Sequence, residues 1–157
     1  MAMADVGEKA PAFKLQSDND ETVSQNSLRG DAFVLYFYPK DDTSGCTKEA
    51  IAFTELSKAF DDIGVRVLGV SPDSVPSHQK FKAKHDLGIT LLADNEHELA
   101  EKFGVWVEKS MYGRNYMGVE RSTFLIDAKG KIVEVWRKVK VPGHADAVLM
   151  AATELLS

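Results

Sequence analysis

The segment Phe33–Cys46, which reads FVLYFYPKDDTSGC, contains the pattern that decides the fold. Phe33–Tyr38 is a continuous apolar and aromatic run, typical of a strand buried on both faces of a sheet. Pro39 ends this run, and the polar residues after it indicate a turn. Apolar residues then recur at helical spacing as far as Phe60, so we predict a helix that begins near Ser44–Cys46. The segment is therefore a strand–turn–helix unit.

Similar patterns on both sides extend this unit into an alternating chain of strands and helices. The predicted elements are strands within residues 11–30 and at 33–38, 65–70, 90–92, 122–126 and 132–136, and helices at 44–64, 75–86, 96–103 and 143–156. The stretch Met111–Gly118 is predicted to be a polar and aromatic loop. Asp127–Gly130 is predicted to be a hairpin turn with glycine in the left-handed conformation. We therefore predict an α/β sandwich whose mixed central sheet is flanked by helices and carries an N-terminal β-hairpin.

Length and composition bound the class of protein. The 157 residues predict a single domain over 1–157. The net charge of −5 argues against nucleic acid and anionic membranes as partners, because both need a basic surface. The apolar runs are too short to span a bilayer, and no basic segment precedes an apolar run at the N-terminus. We expect a cytoplasmic protein with no nucleic-acid or membrane partner.

Cys46 is the single cysteine of the chain. One cysteine excludes an intramolecular disulfide and any metal site made of several thiolates, and the four scattered histidines are expected to be solvated. We therefore predict no metal and no cofactor. The unpaired amides and positive dipole end of a helix N-terminus stabilise a thiolate and can hold the oxygens of a small polar substrate. The alternative is a buried and inert cysteine.

Two motifs make the sequence similar to a known family. The string YPKDDTSGCTKEA (Tyr38–Ala50) and the string RSTFLID (Arg121–Asp127) resemble the peroxiredoxins, in particular the bacterioferritin comigratory protein or peroxiredoxin Q subfamily. The resemblance extends over nearly the whole chain. It implies a thioredoxin-like fold, a thiol-dependent peroxidase that reduces hydrogen peroxide and organic hydroperoxides, and a monomer or weak dimer.

The resemblance also implies a role for each residue of the motifs. Cys46 is expected to be the peroxidatic nucleophile, and the hydroxyl of Thr43 is expected to hydrogen-bond the peroxide. Arg121 is expected to stabilise the thiolate and the transition state. Pro39 is expected to shield the sulfur from bulk water.

Further groups around the sulfur follow from the same resemblance. The backbone amides of Gly45 and Cys46 are expected to bind a peroxide oxygen, and Glu49 is expected to orient Arg121. Asp41 and Asp42 lie close by in the sequence and oppose a thiolate. Either Arg121 and the helix end outweigh these two carboxylates, or the carboxylates point to solvent.

The sequence departs from the family at the resolving cysteine. Many members carry that cysteine five residues after the first, where this chain has Ile51. Others carry it in the following helix, near Lys82. We therefore expect a one-cysteine mechanism in which thioredoxin, or glutaredoxin with glutathione, reduces the oxidised Cys46. Two alternatives stay open: a redox sensor or binding protein that uses Cys46 oxidation as a switch, and a thiol–disulfide oxidoreductase.

Overall fold

The computed structural model describes residues 4–156, which form nine strands and five helices. The strands are β1 (Lys14–Ser17), β2 (Thr22–Ser24), β3 (Phe33–Phe37), β4 (Arg66–Ser71), β5 (Thr90–Ala93), β6 (Trp106–Met111), β7 (Arg114–Val119), β8 (Ser122–Ile126) and β9 (Ile132–Trp136). The helices are α1 (Ser44–Glu55), α2 (Ser57–Asp62), α3 (Val75–His85), α4 (Glu98–Lys102) and α5 (His144–Leu156). Among the described residues, every helix is too short or too polar to cross a lipid bilayer.

Seven of the strands form one mixed sheet in the order β2-β1-β5-β4-β3-β8-β9. Strand β3 pairs in parallel with β4 and antiparallel with β8, so that Phe37 lies opposite Val70 on one side and Ser122 on the other. The carboxyl ends of β3 and β4 and the start of β8 therefore meet at one edge. The predicted mixed sheet and its N-terminal hairpin, β1–β2, are confirmed.

The hydrophobic core consists of two buried clusters, one on each face of the sheet. Strand β3 contributes side chains to both. Phe33, Leu35 and Phe37 point into one buried cluster, whereas Val34 and Tyr36 point into the other. Successive side chains of a strand point to opposite faces. The prediction of a strand buried on both faces is therefore confirmed, and the sheet is covered by packed elements on each side.

Two details of the predicted chain organisation are wrong. The single helix predicted to extend to Asp61–Gly64 is broken at Leu56, whose backbone leaves the helical region at φ −98° and ψ 3°. The predicted loop at 111–118 is instead the turn and second strand of a separate hairpin, β6–β7. Its turn residues Tyr112 and Gly113 both have positive φ, as a two-residue type I′ turn requires. The hairpin was missed because most of its side chains are exposed, so that hydrophobic alternation is absent.

Gly69 of β4 allows the two neighbouring strands to pack closely. A Cβ at this position would lie 2.8 Å from Cζ of Tyr36 and 3.0 Å from Cδ2 of Leu91. We expect Gly69→Ala to lower the free energy of unfolding by about 1–3 kcal/mol, because the added methyl overpacks the core. Urea denaturation measures the change.

Gly88→Ala is the matched control for this substitution. A Cβ at Gly88 would meet only ordinary contacts, at 3.4 Å and 3.5 Å. The expected change in unfolding free energy is less than about 1 kcal/mol. Equal effects of the two substitutions would contradict the packing account of Gly69.

Candidate active site

Cys46 is the third residue of α1, directly after the polar turn that follows β3. Thr43 caps the helix with an extended backbone, and its carbonyl accepts the first helical hydrogen bond, from the amide of Thr47, at 2.8 Å. This geometry leaves the amides of Gly45 and Cys46 without an acceptor inside the helix, at its positive end. The sulfur is buried, with a relative exposure of 1% for Cys46, among the aromatic residues of its core cluster. A thiolate at this position lies at the positive end of the helix, and the buried aromatic residues shield it from water.

Arg121 contacts Cys46 although the two residues are far apart in the sequence. The register of β8 against β3 places Ser122 opposite Phe37, so Arg121 lies beside the point where the chain leaves β3. The guanidinium Nη2 donates to the Cys46 sulfur at 3.3 Å across 75 residues of sequence. The permanent positive charge of arginine is therefore fixed against the sulfur.

Glu49 lies on the same face of α1 as Cys46 and holds the other side of the guanidinium. Its Oε1 accepts from Nη1 of Arg121 at 2.6 Å, and Glu49 is 1% exposed. Its Oε2 has no hydrogen-bond partner among the described residues. Burial raises the pKa of Glu49 to about 7, and the nearby Arg121 opposes that rise. Arg121 is thus held between a buried carboxyl group and the sulfur.

His144 packs near this group from the start of α5. Its Nε2 lies 2.7 Å from the hydroxyl of Thr123, which follows Arg121 by two residues in the sequence. Burial and, to a smaller extent, the charge of Arg121 lower the pKa of His144 to about 4. His144 is therefore neutral at physiological pH, so the positive charge beside the sulfur comes from Arg121.

Three further predicted site residues lie just before Cys46 in the chain. A Cβ at Gly45 would lie 3.1 Å from Nη2 of Arg121, so any side chain there would crowd the guanidinium. The exposed hydroxyl of Thr43 donates to the carbonyl of Lys40 at 2.9 Å, which leaves its oxygen free to accept. Pro39 is half-buried at the exit of β3. The structure thus joins Glu49 and Cys46 through Arg121, which donates to both.

The two carboxylates of the turn adopt different arrangements. Asp41 is buried and accepts hydrogen bonds instead of pointing to solvent. Asp42 is partly exposed and is bonded by Lys84 at 2.7 Å and by His85 at 2.8 Å. These hydrogen bonds lower the pKa of Asp42. Each carboxylate therefore has its own partners. Of the two alternatives given by the sequence, the one in which the carboxylates point to solvent does not hold for Asp41.

His78 corrects a second expectation. The sequence predicts a solvated histidine, but His78 has no exposed surface and its Nδ1 lies 2.7 Å from Oδ2 of Asp41. Asp73 joins the same group, because its Oδ2 accepts from the Asp41 amide at 2.8 Å and from the Ser71 hydroxyl at 2.6 Å.

Asp41, Asp73 and His78 have the mutual spacing of metal ligands. Hydrogen bonds within the protein already occupy both carboxylate oxygens of Asp41, both ring nitrogens of His78 and Oδ2 of Asp73. Two parallel strands that end at the same edge bring the residues after them together. This rule, applied to β3 and β4, could have predicted the pairing of Asp41 with Asp73.

Known proteins are similar to this chain in sequence and in fold. The AhpC/TSA family model matches residues 6–135. The chain belongs to the AhpC/TSA family. Peroxiredoxin Bcp of Bacillus subtilis is 48% identical over 151 residues, which cover 96% of each chain.

Two solved structures show the same fold. The bacterioferritin comigratory protein of Xanthomonas campestris, studied for its alkyl peroxide reduction activity, matches with a TM-score of 0.88 and 43% identity over 92% of each chain. A cysteine-to-serine mutant of Xylella fastidiosa PrxQ matches with a TM-score of 0.94 and 38% identity over 100% of each chain.

Membership in this family confirms the fold and the class of activity expected from the two motifs. The mixed seven-stranded sheet with flanking helices is the thioredoxin-like fold of the peroxiredoxins. The chain is a peroxiredoxin, that is, a thiol-dependent peroxidase. Its substrate is a hydroperoxide and its reductant is a thiol.

The raised pKa of Glu49 predicts a specific dependence of stability on pH. The folded protein keeps the Glu49 proton up to about pH 7, whereas an ordinary glutamate, as in the unfolded chain, has a pKa of 4.5. Between these pH values the folded state binds more protons, so this group reduces stability as pH rises. Relative to wild type, Glu49→Gln should therefore gain about 3 kcal/mol of unfolding free energy between pH 4.5 and 8. Urea denaturation of both proteins across this range measures the difference.

The prediction compares Glu49→Gln with wild type because His144 has the opposite effect on the pH dependence of stability. Its lowered pKa makes the folded state bind fewer protons between about pH 4 and its usual value of 6.5, so stability from this group rises with pH. Glu55→Gln, at an exposed position of the same helix, serves as the control and should follow the wild-type profile. A constant difference between Glu49→Gln and wild type at all pH values would contradict the prediction.

Proposed function

We propose that Cys46 is the peroxidatic nucleophile, and that it reduces hydrogen peroxide and organic hydroperoxides. The observation that carries this proposal is the 3.3 Å contact between the Arg121 guanidinium and the Cys46 sulfur at the N-terminus of α1. A fixed cation and unpaired amides stabilise a thiolate and the negative charge that develops on a leaving oxygen. The alkyl peroxide reduction of the Xanthomonas campestris relative supports the inclusion of organic hydroperoxides.

The groups of the site account for the first step of the reaction, the attack on the peroxide. The Cys46 thiolate attacks the terminal oxygen of ROOH, so that a sulfur–oxygen bond forms as the oxygen–oxygen bond breaks. The sulfur becomes a sulfenic acid, and the departing RO⁻ takes a proton from water to give the alcohol, or water when the substrate is hydrogen peroxide. Arg121 and the amides of Gly45 and Cys46 stabilise the charge as it moves from sulfur to the leaving oxygen.

The remaining residues position the peroxide. Because the Thr43 hydroxyl already donates to a backbone carbonyl, its oxygen is available to accept the O–H of the peroxide. Pro39 shields the sulfur from water at the exit of β3. Glu49 holds Arg121 in place through its short hydrogen bond to Nη1.

We further propose a one-cysteine mechanism that depends on an outside thiol. The chain has no second cysteine, and Ile51 and Lys82 stand where relatives of the subfamily carry one. The sulfenic acid condenses with the outside thiol to a mixed disulfide and water, and a second thiol then releases Cys46. Thioredoxin, or glutaredoxin with glutathione, is the proposed reductant. We propose that the protein acts in the cytoplasm as a monomer or weak dimer, with residues 1–157 as one domain.

The missing second cysteine favours one other candidate function. An oxidised Cys46 without an internal partner persists until a thiol arrives, as a redox sensor requires. In that case Cys46 would be oxidised once, and its oxidation would change the binding of a partner. Sustained turnover distinguishes the peroxidase from the sensor.

Mixing reduced protein with hydrogen peroxide in a stopped-flow instrument tests the role of Cys46. We expect a rapid change in tryptophan fluorescence that saturates at one equivalent and is absent in Cys46→Ser. Arg121→Lys should slow this phase by about 100-fold, because lysine cannot contact the sulfur and Glu49 at the same time. Arg114→Lys makes the same change on the exposed strand β7 and should react as wild type does. A slow reaction of the wild-type protein, typical of an ordinary thiol, would contradict the proposal.

Supplying different thiols with excess peroxide identifies the reductant. We expect many turnovers with thioredoxin and its reductase, or with glutathione and glutaredoxin, and a Cys46 mixed disulfide detectable by mass spectrometry. A single oxidation with every donor would favour the sensor. Rapid reduction of insulin disulfides, measured by turbidity, would instead favour a thiol–disulfide oxidoreductase.

A further inference from the structure

A buried set of hydrogen bonds fastens the active-site turn to α3. The carboxylate of Asp41 accepts from the Tyr38 hydroxyl at 2.6 Å, from the Ser77 hydroxyl at 2.8 Å and from Nδ1 of His78 at 2.7 Å. His78 is completely buried, and Asp41 is 8% exposed. Three donors from two elements therefore converge on one carboxylate, which lies in the turn that leads to Cys46.

Both ring nitrogens of His78 lie against oxygen atoms of the protein. Nε2 lies 2.8 Å from the carbonyl oxygen of Leu92, and because a carbonyl oxygen can only accept, Nε2 is the donor of this hydrogen bond. Nδ1 lies 2.7 Å from Oδ2 of Asp41, which also accepts from the Ser77 hydroxyl. His78 thus links the turn to strand β5 through both sides of its ring.

Asp41 transmits this restraint to the residues of the reaction. Its amide is also bound, by Oδ2 of Asp73 at 2.8 Å, so both its backbone and its side chain are held. The next residue, Asp42, has φ +58°, a left-handed conformation that is costly for a residue other than glycine. Thr43 then opens α1. The strained path from Asp41 to Thr43 needs an anchor at its start, and the Asp41–His78 pair is that anchor.

We propose that His78 is a positioning residue for peroxide reduction: it holds Asp41, and Asp41 holds the turn that presents Thr43 and the α1 amides to the peroxide. This inference rests on the proposed role of Cys46. The Arg121–Cys46 contact joins β8 to α1 and does not pass through His78. Loss of His78 should therefore disturb the peroxide site more than it disturbs the thiolate.

The decisive experiment compares two reactions of Cys46 in His78→Gln. A glutamine can replace only one of the two hydrogen bonds of the ring. We expect the rate constant with hydrogen peroxide to fall at least about tenfold, because small misplacements of reacting groups are costly. Alkylation of Cys46 by iodoacetamide, which needs the thiolate but not the peroxide site, should stay within about twofold of wild type.

His85→Gln is the matched control. His85 lies on the same helix and bonds Asp42, but this contact is at the surface, where such pairs contribute little. Both rate constants of this variant should equal those of wild type. His78→Ala adds a second readout, since imidazole in the buffer should enter the vacated space and restore part of the peroxide rate.

Several outcomes would overturn the inference. Peroxide reactivity of His78→Gln within twofold of wild type would do so, and so would an equal loss of peroxide and alkylation rates, which indicates a purely structural role. If the His78 variants do not fold, Ser77→Ala replaces them, because it removes one hydrogen bond to Asp41 and keeps the contact between Asp41 and His78. It should slow the peroxide reaction about fivefold, and an unchanged rate would reject the inference. A wild-type protein that fails to react rapidly with peroxide would instead refute the proposed function.

Discussion

The arrangement of the active site depends on one interaction, the contact of 3.3 Å between the guanidinium of Arg121 and the sulfur of Cys46. Cys46 belongs to the helix that follows β3, and Arg121 belongs to the chain that enters β8. Their meeting depends on the antiparallel register of β3 and β8, in which Phe37 faces Ser122. A shift of one residue would turn the strand over and move its side chains to the opposite faces. The buried aromatic residues of β3 therefore keep the site aligned as well as stabilising the core.

Charge around the sulfur is arranged so that each group has a specific partner. The site contains the acidic residues Asp41, Asp42 and Glu49, which by proximity alone would disfavour a thiolate. Asp41 is paired with His78 and Asp42 with Lys84 and His85, while Glu49 bonds Arg121. The free face of the guanidinium is left for the sulfur. From the sequence, these acidic residues are expected to disfavour the thiolate. In the structure they bond to other side chains and hold the turn and Arg121 in place.

Lys82 of α3 stands near the position where some members of the subfamily carry a resolving cysteine, and its ammonium lies 2.6 Å from the buried carboxylate of Asp18. His78 joins the same helix to the active-site turn through Asp41. A helix that delivers a thiol to the nucleophile has to move, whereas these two contacts hold α3 to the N-terminal hairpin and to the turn. This arrangement agrees with the proposed reduction of Cys46 by an outside thiol.

The sequence alone indicated most of the local elements and pointed to Cys46 as the candidate nucleophile. The aromatic run before Pro39 predicts a central strand, and the single cysteine after the turn predicts a reactive site, because both follow from patterns within a few residues. The approach of Glu49 and Arg121 to Cys46 was expected only from the resemblance to a family. The hairpin β6–β7 was missed because its exposed residues lack the alternation that burial imposes.

Only the tertiary structure decided the burial of His78 and its pairing with Asp41. A histidine within an amphipathic helix has the same local pattern whether it faces solvent or the sheet. Which of the two occurs depends on the partners that non-adjacent strands bring to the same edge. Asp41, Asp73 and the carbonyl of Leu92 follow or belong to three different strands, β3, β4 and β5. Their convergence is a consequence of strand order, which no stretch of contiguous sequence contains.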